Sequence, residues 1–466
     1  MTAPSASALA TDQYELTMAA SYFAQSMTAP ATFDLFVRGL PTTRRFMVAA
    51  GLDDALAYLA QVRFIESDIA FLRSLDMFNE DFLSYLADFR FTGEVWAMPE
   101  GSVCFPQEPL LRVTAPMIEA QIVETALLST VAHQTAIASK AARISLASGD
   151  HAFDDFSARR AHGPEAAVRG ARAAYLAGAS STSNVLAAKT YGIPPSGTMA
   201  HSYVTAFGDE RDAFRTFARD FPTTAVLLID TYDTVEGAHR AVEVARELAP
   251  EGVRLRGVRL DSGDLAELSM LVRKILDDGG CEVVRIVASG DLDEHRITDL
   301  LAGGAPIDSF GVGTQLGVSA DAPALSAVYK LAEYDSRPVL KLSTDKESLP
   351  GRKQVWRRER DGVLVGDVIG LEDESVEGGR SLLERVMTDG VRIGASPSLA
   401  DARELCARGL AWLPAELKVL EASTSRAPVK TSASLDELVA RVTERLRRDD
   451  AATSAAKARS TGTRAH

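Results

Sequence analysis

Four apolar runs, separated by amphipathic stretches, occupy residues 179–313 and constrain the fold more than any other feature. The runs are TTAVLLID, VRLRGVRLD, EVVRIVASGD and IDSFGVG. The first three end at Asp230, Asp261 and Asp291, so a carboxylate recurs about every 30 residues, the length of one strand and helix unit. The stretches between them place apolar residues at helical spacing and end in Gly or Pro. This alternation predicts a parallel sheet with outer helices, as in an α/β barrel.

The polar residues that end these strands are expected to share one surface. In an α/β barrel the carboxyl ends of all strands face one rim, and that rim carries the function. An aspartate at a strand end can instead cap the helix that follows it. That alternative is reasonable for one position but weaker for the series Asp230, Asp261 and Asp291. We therefore expect the three carboxylates to face one mouth.

The rest of the chain mixes short strands with helices and is expected to form a second domain. Residues 15–130 combine strands such as ATFDLFVRGL with helices such as DDALAYLAQVRFI, and strand-like pieces return after Leu340. The expected organisation is a discontinuous α/β sandwich domain made of residues 1–130 and 346–447, the second part including a terminal helix, and an irregular α/β barrel made of residues 131–345. The last residues, 448–466, lack apolar periodicity and are predicted to be disordered.

Composition and charge narrow the class of protein. The chain has 466 residues, of which 46% are hydrophobic and 24% charged, and its formal net charge is -14. These values are ordinary for a folded globular protein, and the negative charge argues against general nucleic-acid binding. No window reaches the roughly 20 apolar residues of a membrane span, and the start lacks the pattern of a signal peptide, so we expect a cytoplasmic protein. The three cysteines are far apart and are expected to be buried, reduced thiols.

The segment DDFSARRAHGP, residues 154–164, places an aromatic ring close to two guanidinium groups. Arginine makes bidentate bonds to carboxylate or phosphate, and a ring such as Phe156 stacks on planar heterocycles. The alternative is a surface pair, Arg159 and Arg160, beside a core phenylalanine, and the segment taken alone favours that alternative. Its residue types nevertheless suit a flat anion.

A second candidate lies in the segment GTMAHSY, residues 197–203, where a short apolar strand is expected to end at the rim. It carries Thr198 and His201, and a histidine at the rim can act as a base or a nucleophile. A lone histidine is more often structural than catalytic, so the motif alone does not decide its role. The small-residue loop at 178–184, which includes Ser183, offers backbone amides that suit an anion.

Three glycine-bearing junctions, GVRLDSGDL, ASGDLDE and FGVGTQ, follow successive predicted strands. Glycine lets backbone amides approach an anion closely, and carboxylates hold hydrated magnesium. Together these junctions predict a site for a phosphorylated sugar with magnesium. The residues concerned are Arg259, Asp261, Ser289, Gly290, Asp291, Gly311, Gly313 and Thr314.

Nine motifs follow one another along the chain: TDQYELTMA, FSARRAHGPEAA, YLAGASSTSN, GIPPSGTMAHSYV, LIDTYDT, GVRLDSGDL, SGDLDE, FGVGTQL and KLSTDKESLPGRK. Because they occur in the order seen in the nicotinate phosphoribosyltransferases, the chain resembles that family. The match runs from about Thr11 to Arg357, and GTMAHS and RLDSGDL are its most specific parts. The resemblance implies the irregular α/β barrel of type II phosphoribosyltransferases joined to an α/β sandwich, in a head-to-tail homodimer with active sites between subunits.

The resemblance also implies a reaction and a role for each candidate residue. Nicotinate would be joined to the ribosyl group of phosphoribosyl pyrophosphate, with Mg2+ as cofactor and ATP as a co-substrate hydrolysed through phosphorylated His201. Tyr14 of the neighbouring chain and Phe156 would sandwich the pyridine ring. The other implied contacts are Arg159, Thr198 and Arg259 with nicotinate and the ribosyl phosphate, Asp261 and Asp291 with ribose hydroxyls or magnesium, and Gly290, Gly311, Gly313 and Thr314 with the 5-phosphate. Ser183, Asp230 and Ser289 complete the predicted substrate site.

Three alternative functions are weighed against this one. A nicotinamide phosphoribosyltransferase shares the fold but, in the members this chain resembles, has an aspartate at the position of Ser183, where a carboxylate accepts from an amide and repels nicotinate. A non-catalytic metabolite-binding paralogue would use the same pocket, but the intact His201, Arg259 and Asp261 offer it no support. An aldolase-like barrel needs a Schiff-base lysine, and the strand ends carry aspartates instead.

Overall fold

The structure is a computed structural model that describes residues 7–342, 348–395 and 397–462, with side chains as far as Asp449. The helices are α1 Gln13–Ala24, α2 Leu52–Gln61, α3 Glu66–Ser74, α4 Glu80–Ala87, α5 Met117–Ile122, α6 Glu124–Ser148, α7 Pro164–Leu176, α8 Val185–Tyr191, α9 His201–Phe207, α10 Glu210–Asp220, α11 Thr234–Leu248, α12 Leu265–Asp278, α13 Glu294–Ala302, α14 Thr314–Gly317, α15 Leu399–Trp412, α16 Ala415–Lys418 and α17 Ala433–Gly462. The strands are β1 Pro30–Val37, β2 Met47–Val48, β3 Glu94–Ala97, β4 Val103–Cys104, β5 Pro109–Pro116, β6 Ala152–Asp155, β7 Ser181–Thr182, β8 Val226–Leu228, β9 Gly257–Leu260, β10 Arg285–Ala288, β11 Ser309–Val312, β12 Ala327–Tyr334, β13 Arg337–Pro338, β14 Lys353–Arg360, β15 Val363–Leu371, β16 Gly379–Ser381, β17 Glu384–Thr388, β18 Val391–Arg392 and β19 Val429–Thr431.

Strands β6 to β11 form a wholly parallel, six-stranded sheet in the order β7-β6-β11-β10-β9-β8. Its edge strands, β7 and β8, do not pair with each other within the described chain, so the barrel is open on one side. Helices α11, α12 and α13 connect the successive strands β8 to β11, as the alternating pattern predicted. The predicted fold class, an irregular α/β barrel with a second α/β region, is confirmed.

A seven-stranded sheet draws its strands from three separate parts of the chain, in the order β13-β12-β1-β5-β3-β17-β18. Strand β12 pairs antiparallel with β1, joining Ala31 to Tyr334 and Val37 to Ala327. This differs from the sequence interpretation, which assigned Ala327–Tyr334 to the barrel. Because β12 is the next strand in the chain after the last barrel strand, periodicity could not show that it pairs in another sheet. A four-stranded sheet, β16-β14-β15-β19, completes the second region.

Helix α6 belongs to both hydrophobic cores. Near its start, Leu127 and Val131 pack in the core of the seven-stranded sheet. Farther along, Ile137, Ala141 and Ile144 pack in the core of the parallel sheet. Residues 134–144 of the helix are all buried, polar and apolar alike, so this part of the helix is enclosed on every side. The helix therefore fixes the two regions against each other.

Helix α15 packs on the barrel, although its residues fall in the segment predicted to complete the sandwich. The side chains of Ala402, Cys406 and Leu410 follow each other at four-residue spacing and are buried in the barrel core. Arg403 donates hydrogen bonds to the carbonyl oxygens of Gly178 and Ala179, 3.1 and 2.7 Å away. Local sequence predicts the apolar stripe but does not reveal which core covers it.

The three cysteines are buried as predicted, whereas the C-terminal helix is longer than predicted. Cys104, Cys281 and Cys406 are buried and free of disulfides, as predicted. Helix α17 continues to Gly462, whereas disorder was expected from residue 448; this part is rich in alanine, which has the highest helix propensity. Residues 463–466 of the predicted disordered tail lie outside the described residues. Within the described chain, the helices are too short or too polar to cross a membrane.

Candidate active site

The ends of three neighbouring barrel strands are joined by hydrogen bonds through two carboxylates. Asp230 follows β8, and its Oδ2 accepts from the backbone N–H of Asp261 at 2.8 Å and from Ser262 Oγ at 2.7 Å. Asp261 follows β9, and its Oδ1 accepts from Ser289 Oγ at 2.5 Å. Ser289 follows β10 and is buried. The structure thus brings Asp230, Asp261 and Ser289 together at one rim.

The helix-capping alternative is settled by a second set of aspartates. Helices α11, α12 and α13 are capped by Asp233, Asp264 and Asp293, whose side chains accept from backbone N–H groups in the first turn. Asp230 and Asp261 make the rim hydrogen bonds described above instead. The carboxylates at the ends of β8 and β9 are therefore available to a ligand rather than committed to a helix.

His201 lies between a hydroxyl and a carboxylate of the rim. Its Nδ1 is 3.1 Å from Thr231 Oγ1, and its Nε2 is 3.7 Å from Asp261 Oδ2. Its side chain is 43% exposed, so a substrate can reach it. The sequence predicted that a strand ends here, but His201 is the first residue of α9. The run preceding it is too short to form a strand between β7 and β8, and the rim position arises from the loop.

Arg259 is a partly buried cation at the rim, and only part of its guanidinium group is hydrogen-bonded. It lies on β9 and donates from Nη1 to Thr198 Oγ1 at 2.6 Å, while its Nε is buried without a hydrogen-bond partner in the described chain. Burial lowers the pKa of the Arg259 guanidinium, Asp261 and Asp230 oppose that shift, and the nearby Arg159 adds to it. A buried donor without a partner is costly. An anion at this position would accept from Arg259 and offset its repulsion with Arg159.

Phe156 and Ser183 directly follow β6 and β7, and each is held by a backbone hydrogen bond to a neighbouring strand. Ser183 donates its backbone N–H to the Asp155 carbonyl at 2.8 Å, and Phe156 donates its N–H to the Val312 carbonyl at 2.9 Å. The ring of Phe156 lies against Gly311, where an added Cβ would approach two ring carbons to 2.5 Å. Phe156 and Ser183 therefore lie at the carboxyl ends of two adjacent parallel strands, on the side of the sheet that carries the rim.

Sequence reasoning missed Asp155 itself. Its side chain is 1% exposed and accepts from Ser157 N, Ser157 Oγ and Thr182 Oγ1. Burial raises the pKa of this carboxyl, while these hydrogen bonds oppose the rise. The available signal was the pair of aspartates that precedes Phe156. Two adjacent acidic residues at the end of a buried strand predict that at least one of them has hydrogen-bond partners in the fold.

The loop after β10 has the tight backbone that its glycine predicted, whereas Gly313 in the loop after β11 has a negative φ. Gly290 has φ +94, and a Cβ there would lie 1.9 Å from the Asp261 carbonyl oxygen. Asp291, which follows it, is exposed and also has a positive φ, 46. Gly313 precedes α14, which begins at Thr314. Each loop turns its backbone at the same rim and suits a phosphate group.

Tyr14 is the predicted site residue that the single chain does not bring to the rim. It lies on α1, is 49% exposed, and the described hydrogen bonds of the rim residues do not include it. Burial, followed by the nearby Glu124 carboxylate, raises the pKa of its phenol well above the usual value. A neutral, half-exposed ring outside the barrel is compatible with a contact to another molecule.

The predicted magnesium ligands do not form a cage of their own. In the described part of the chain, no group of three or more His, Cys, Asp and Glu side chains is arranged to hold a metal ion. Asp230 Oδ1 is buried and lacks a hydrogen-bond partner among the described residues. Mg2+ commonly binds through one or two carboxylates plus waters and substrate phosphates. Such an ion fits the rim only together with a phosphorylated ligand.

Comparisons with known proteins identify the family of the chain. Residues 9–132 match the nicotinate phosphoribosyltransferase (NAPRTase) N-terminal domain, and residues 151–359 match the nicotinate phosphoribosyltransferase (NAPRTase) family. A nicotinate phosphoribosyltransferase of Mycobacterium tuberculosis is 49% identical over 446 residues, 96% of this chain and 95% of the relative, and one of Bacillus subtilis is 45% identical over 79% of this chain and 77% of its own. The crystal structure of human nicotinic acid phosphoribosyltransferase superposes with a TM-score of 0.83 at 29% identity, covering 93% of this chain and 99% of that one. The chain therefore belongs to the nicotinate phosphoribosyltransferase family.

Proposed function

We propose that this protein transfers the phosphoribosyl group of phosphoribosyl pyrophosphate to nicotinate, a step of NAD biosynthesis. The pyridine nitrogen forms a bond to C1 of the ribosyl group while the bond from C1 to the pyrophosphate oxygen breaks, and pyrophosphate leaves with the electron pair. The other product is nicotinate mononucleotide. Because the ribosyl centre has oxocarbenium character, the protein supplies position and electrostatic stabilisation and needs no nucleophile for this step.

The buried guanidinium of Arg259 is the observation that carries the proposal. It is held by Thr198, has a free Nε, and stands on the strand that ends at Asp261. Phe156 offers a flat apolar face nearby, and the loops at Gly290 and Gly313 offer backbone amides. A planar carboxylic acid and a phosphorylated sugar are together the substrates that use all these groups.

The charges near Phe156 favour nicotinate, the acid, over nicotinamide, the amide. Ser183 carries no charge, and its backbone N–H donates to the carbonyl of Asp155, the residue that precedes Phe156. Arg159 and Arg259 place positive charge nearby, and this suits the carboxylate of nicotinate better than the neutral amide of nicotinamide. The nicotinamide reaction is therefore the second choice, and a binding protein without activity is the third.

Magnesium is proposed as the cofactor that accompanies the pyrophosphate group. When bound, it neutralises charge on the leaving pyrophosphate. Asp261 and Asp291 are the ligands predicted by sequence, and the Oδ1 of Asp230 at the same rim has no hydrogen-bond partner among the described residues. Asp261 is held in place by Ser289, and Asp230 is held through its other oxygen.

ATP is proposed as a co-substrate that phosphorylates His201. The γ-phosphoryl group would move to a ring nitrogen as ADP leaves, and water would later release it as phosphate. With Nδ1 close to Thr231, Nε2 is the nitrogen directed toward the rim and Asp261. Phosphorylation adds about two negative charges. Repulsion with Asp261 would then shift the rim loops and alter substrate binding.

A homodimer with shared sites is also proposed, together with a cytoplasmic location. Phe156 provides one face for a pyridine ring, and Tyr14 is half-exposed on a different region of the chain. A second subunit that presents its Tyr14 to this rim would supply the opposite face. In a two-fold dimer each chain then completes the site of the other.

The direct test is an assay of purified protein with phosphoribosyl pyrophosphate, magnesium and ATP, in which nicotinate or nicotinamide is supplied separately and the mononucleotide product is measured. The proposal expects product with nicotinate, much less with nicotinamide, and little from the Arg259→Ala variant. Product from nicotinamide alone would favour the second function. Binding of both substrates without turnover would favour the third.

The Ser183→Asp variant is expected to lose about a hundredfold in kcat/KM for nicotinate. An added carboxylate in a partly buried pocket would repel the substrate carboxylate, and an unpaired buried charge costs about 3 kcal/mol. The Ser183→Asn variant, which has nearly the same shape without the charge, is the control and should lose much less. Steady-state kinetics with nicotinate and nicotinamide measure the effect. Equal losses in the two variants would show that charge at this position does not govern selectivity.

The Gly311→Ala variant is expected to raise the KM for nicotinate about tenfold or more. The new methyl group would meet the Phe156 ring at 2.5 Å, so the ring must move, and such overpacking typically costs about 1–3 kcal/mol. The matched control is Gly170→Ala on α7, because an added Cβ there meets no atom within 4 Å. The KM for phosphoribosyl pyrophosphate should change less in both variants, because Gly311 lies within β11 against the Phe156 ring, before the loop that contains Gly313. A wild-type KM for nicotinate in Gly311→Ala would remove Phe156 from the pyridine site.

A further inference from the structure

Five charged side chains, four of them buried and one partly buried, form a continuous network that connects α6 with the chain following β10 and β11. The cations are Arg44, Lys140 and Arg143, and the anions are Glu294 and Asp321. Lys140 Nζ lies 2.5 Å from Glu294 Oε2 and 3.1 Å from Asp321 Oδ1. Arg143 Nε is 2.8 Å from Glu294 but 3.9 Å from Asp321. Lys140 is therefore the cation that makes a close contact with both anions.

The two anions follow different loops of the rim. Glu294 is the first residue of α13 and follows the tight turn at Gly290 and Asp291. Asp321 follows α14, the short helix that begins directly after Gly313. Lys140 lies in the middle of α6, which is held in both cores. A single side chain on a fixed helix thus bridges the segments that continue from both loops.

Arg44 also binds the turn that follows α14, through hydrogen bonds of its own. Arg44 binds Asp321 through Nε and Nη2 at 2.7 and 2.9 Å, and its Nη2 also donates to Ser319 Oγ at 2.6 Å. Ser319 has φ +48, a left-handed conformation that is unfavourable for most residues. A strained turn persists only when its surroundings hold it, so the position of Asp321 is closely set.

Both anions remain charged in this environment. Burial raises the pKa of Glu294, but Lys140 and Arg143 outweigh it and leave the pKa below the usual value. Burial acts in the same way on Asp321, and the hydrogen bond and charge of Arg44, followed by Lys140, bring its pKa far below the usual range. The bridge is thus ionic, and its buried members have few alternative partners.

We propose that Lys140 is a positioning residue for phosphoribosyl pyrophosphate: by bridging Glu294 and Asp321 it sets the separation between the loops that carry Gly290 and Gly313. The inference rests on the proposed function, in which these two loops hold the 5-phosphate. Lys140 is buried and acts through the carboxylates rather than by touching the substrate. Loss of the bridge would let the loops separate, and small misplacements of binding groups have large kinetic effects.

The test compares Lys140→Met with Arg357→Met, a control that removes another buried cation. Arg357 pairs with Asp367 at 2.6 Å in the four-stranded sheet, away from the rim, so its removal creates a similar uncompensated carboxylate. In Lys140→Met the KM for phosphoribosyl pyrophosphate should rise about tenfold or more, with the KM for nicotinate within about twofold. In Arg357→Met both KM values should stay near wild type, although both variants should melt at lower temperature.

The outcomes separate the inference from the proposed function. Turnover by the wild-type protein together with an unchanged KM for phosphoribosyl pyrophosphate in Lys140→Met overturns the positioning role alone. Absence of turnover in the wild-type protein overturns the proposed function, and calorimetric titration with phosphoribosyl pyrophosphate then decides the positioning role by the affinities of wild type and variant. If Lys140→Met does not fold, Asp321→Asn, which keeps the side-chain volume at a 15% exposed position, replaces it. An unchanged KM in that variant would equally contradict the inference.

Discussion

The His201→Asn variant is expected to lose ATP stimulation completely while keeping slow formation of nicotinate mononucleotide without ATP. Asparagine cannot carry the phosphoryl group, whereas Arg259, Asp261 and the glycine loops remain in place for the transfer step. With ATP labelled in its γ-phosphate, the wild-type protein should acquire an acid-labile, base-stable label, and the variant should acquire none. Nicotinate mononucleotide formation with and without ATP measures the second effect.

The control is His239→Asn, because His239 is exposed on α11 and is not part of the rim. It should label and respond to ATP like the wild-type protein. Unchanged labelling of His201→Asn would refute the phosphohistidine. Loss of the ATP-independent reaction as well, in a variant that keeps its folded stability, would place His201 in the transfer step itself rather than in energy coupling.

Mixing two inactive variants, Tyr14→Ala and Arg259→Ala, is expected to restore activity. In a mixed dimer, one site combines the intact rim of the first chain with the intact Tyr14 of the second, and the other site carries both lesions. If subunits exchange at random, about half of the dimers are mixed and each has one intact site, so about a quarter of wild-type activity should return. The measurement is turnover after co-expression with two affinity tags and purification of the mixed species.

The reference activities are those of each variant alone and of each variant mixed with wild-type chains. Purified mixed dimers of Tyr14→Ala with Arg259→Ala should reach about half of wild-type activity, because one of their two sites is intact. Verified mixed dimers that stay inactive would contradict a shared site. Substantial activity of Tyr14→Ala alone would show instead that the second face of the pyridine ring is not provided by Tyr14.

The arrangement of the rim could be predicted from the sequence, because it depends only on local patterns and on the common direction of parallel strands. Apolar runs of strand length alternate with amphipathic helices, and parallel strands present their ends on one side. Asp230, Asp261 and Ser289 meet there for that reason. The sequence did not distinguish the rim aspartates from the helix caps, since each junction offers two acids within three residues. Only the structure shows that the later member, such as Asp264, takes the cap.

The features that sequence did not predict depend on contacts between distant parts of the chain. Strand β12 joins the sheet of β1, and α15 joins the barrel core, because partners far away in sequence cover their apolar sides. The bridge from Lys140 to Asp321 likewise spans residues that no local pattern relates. The start of α9 at His201 was missed for a different reason, since a short segment of mixed character fits a strand end and a helix start equally well.

Helix α6 also restricts how the protein can move during turnover. With one half enclosed by each core, it behaves as a rigid rod common to both, and rotating the cores as separate bodies would mean breaking the helix between Val131 and Ile137. Hinge bending between domains is therefore an unfavourable route for this chain, in contrast to enzymes whose lobes close about a flexible linker. Displacements produced at His201 would instead be absorbed by short surface loops with low local stability, so the response to ATP would be a fast, small-amplitude rearrangement on an unchanged scaffold.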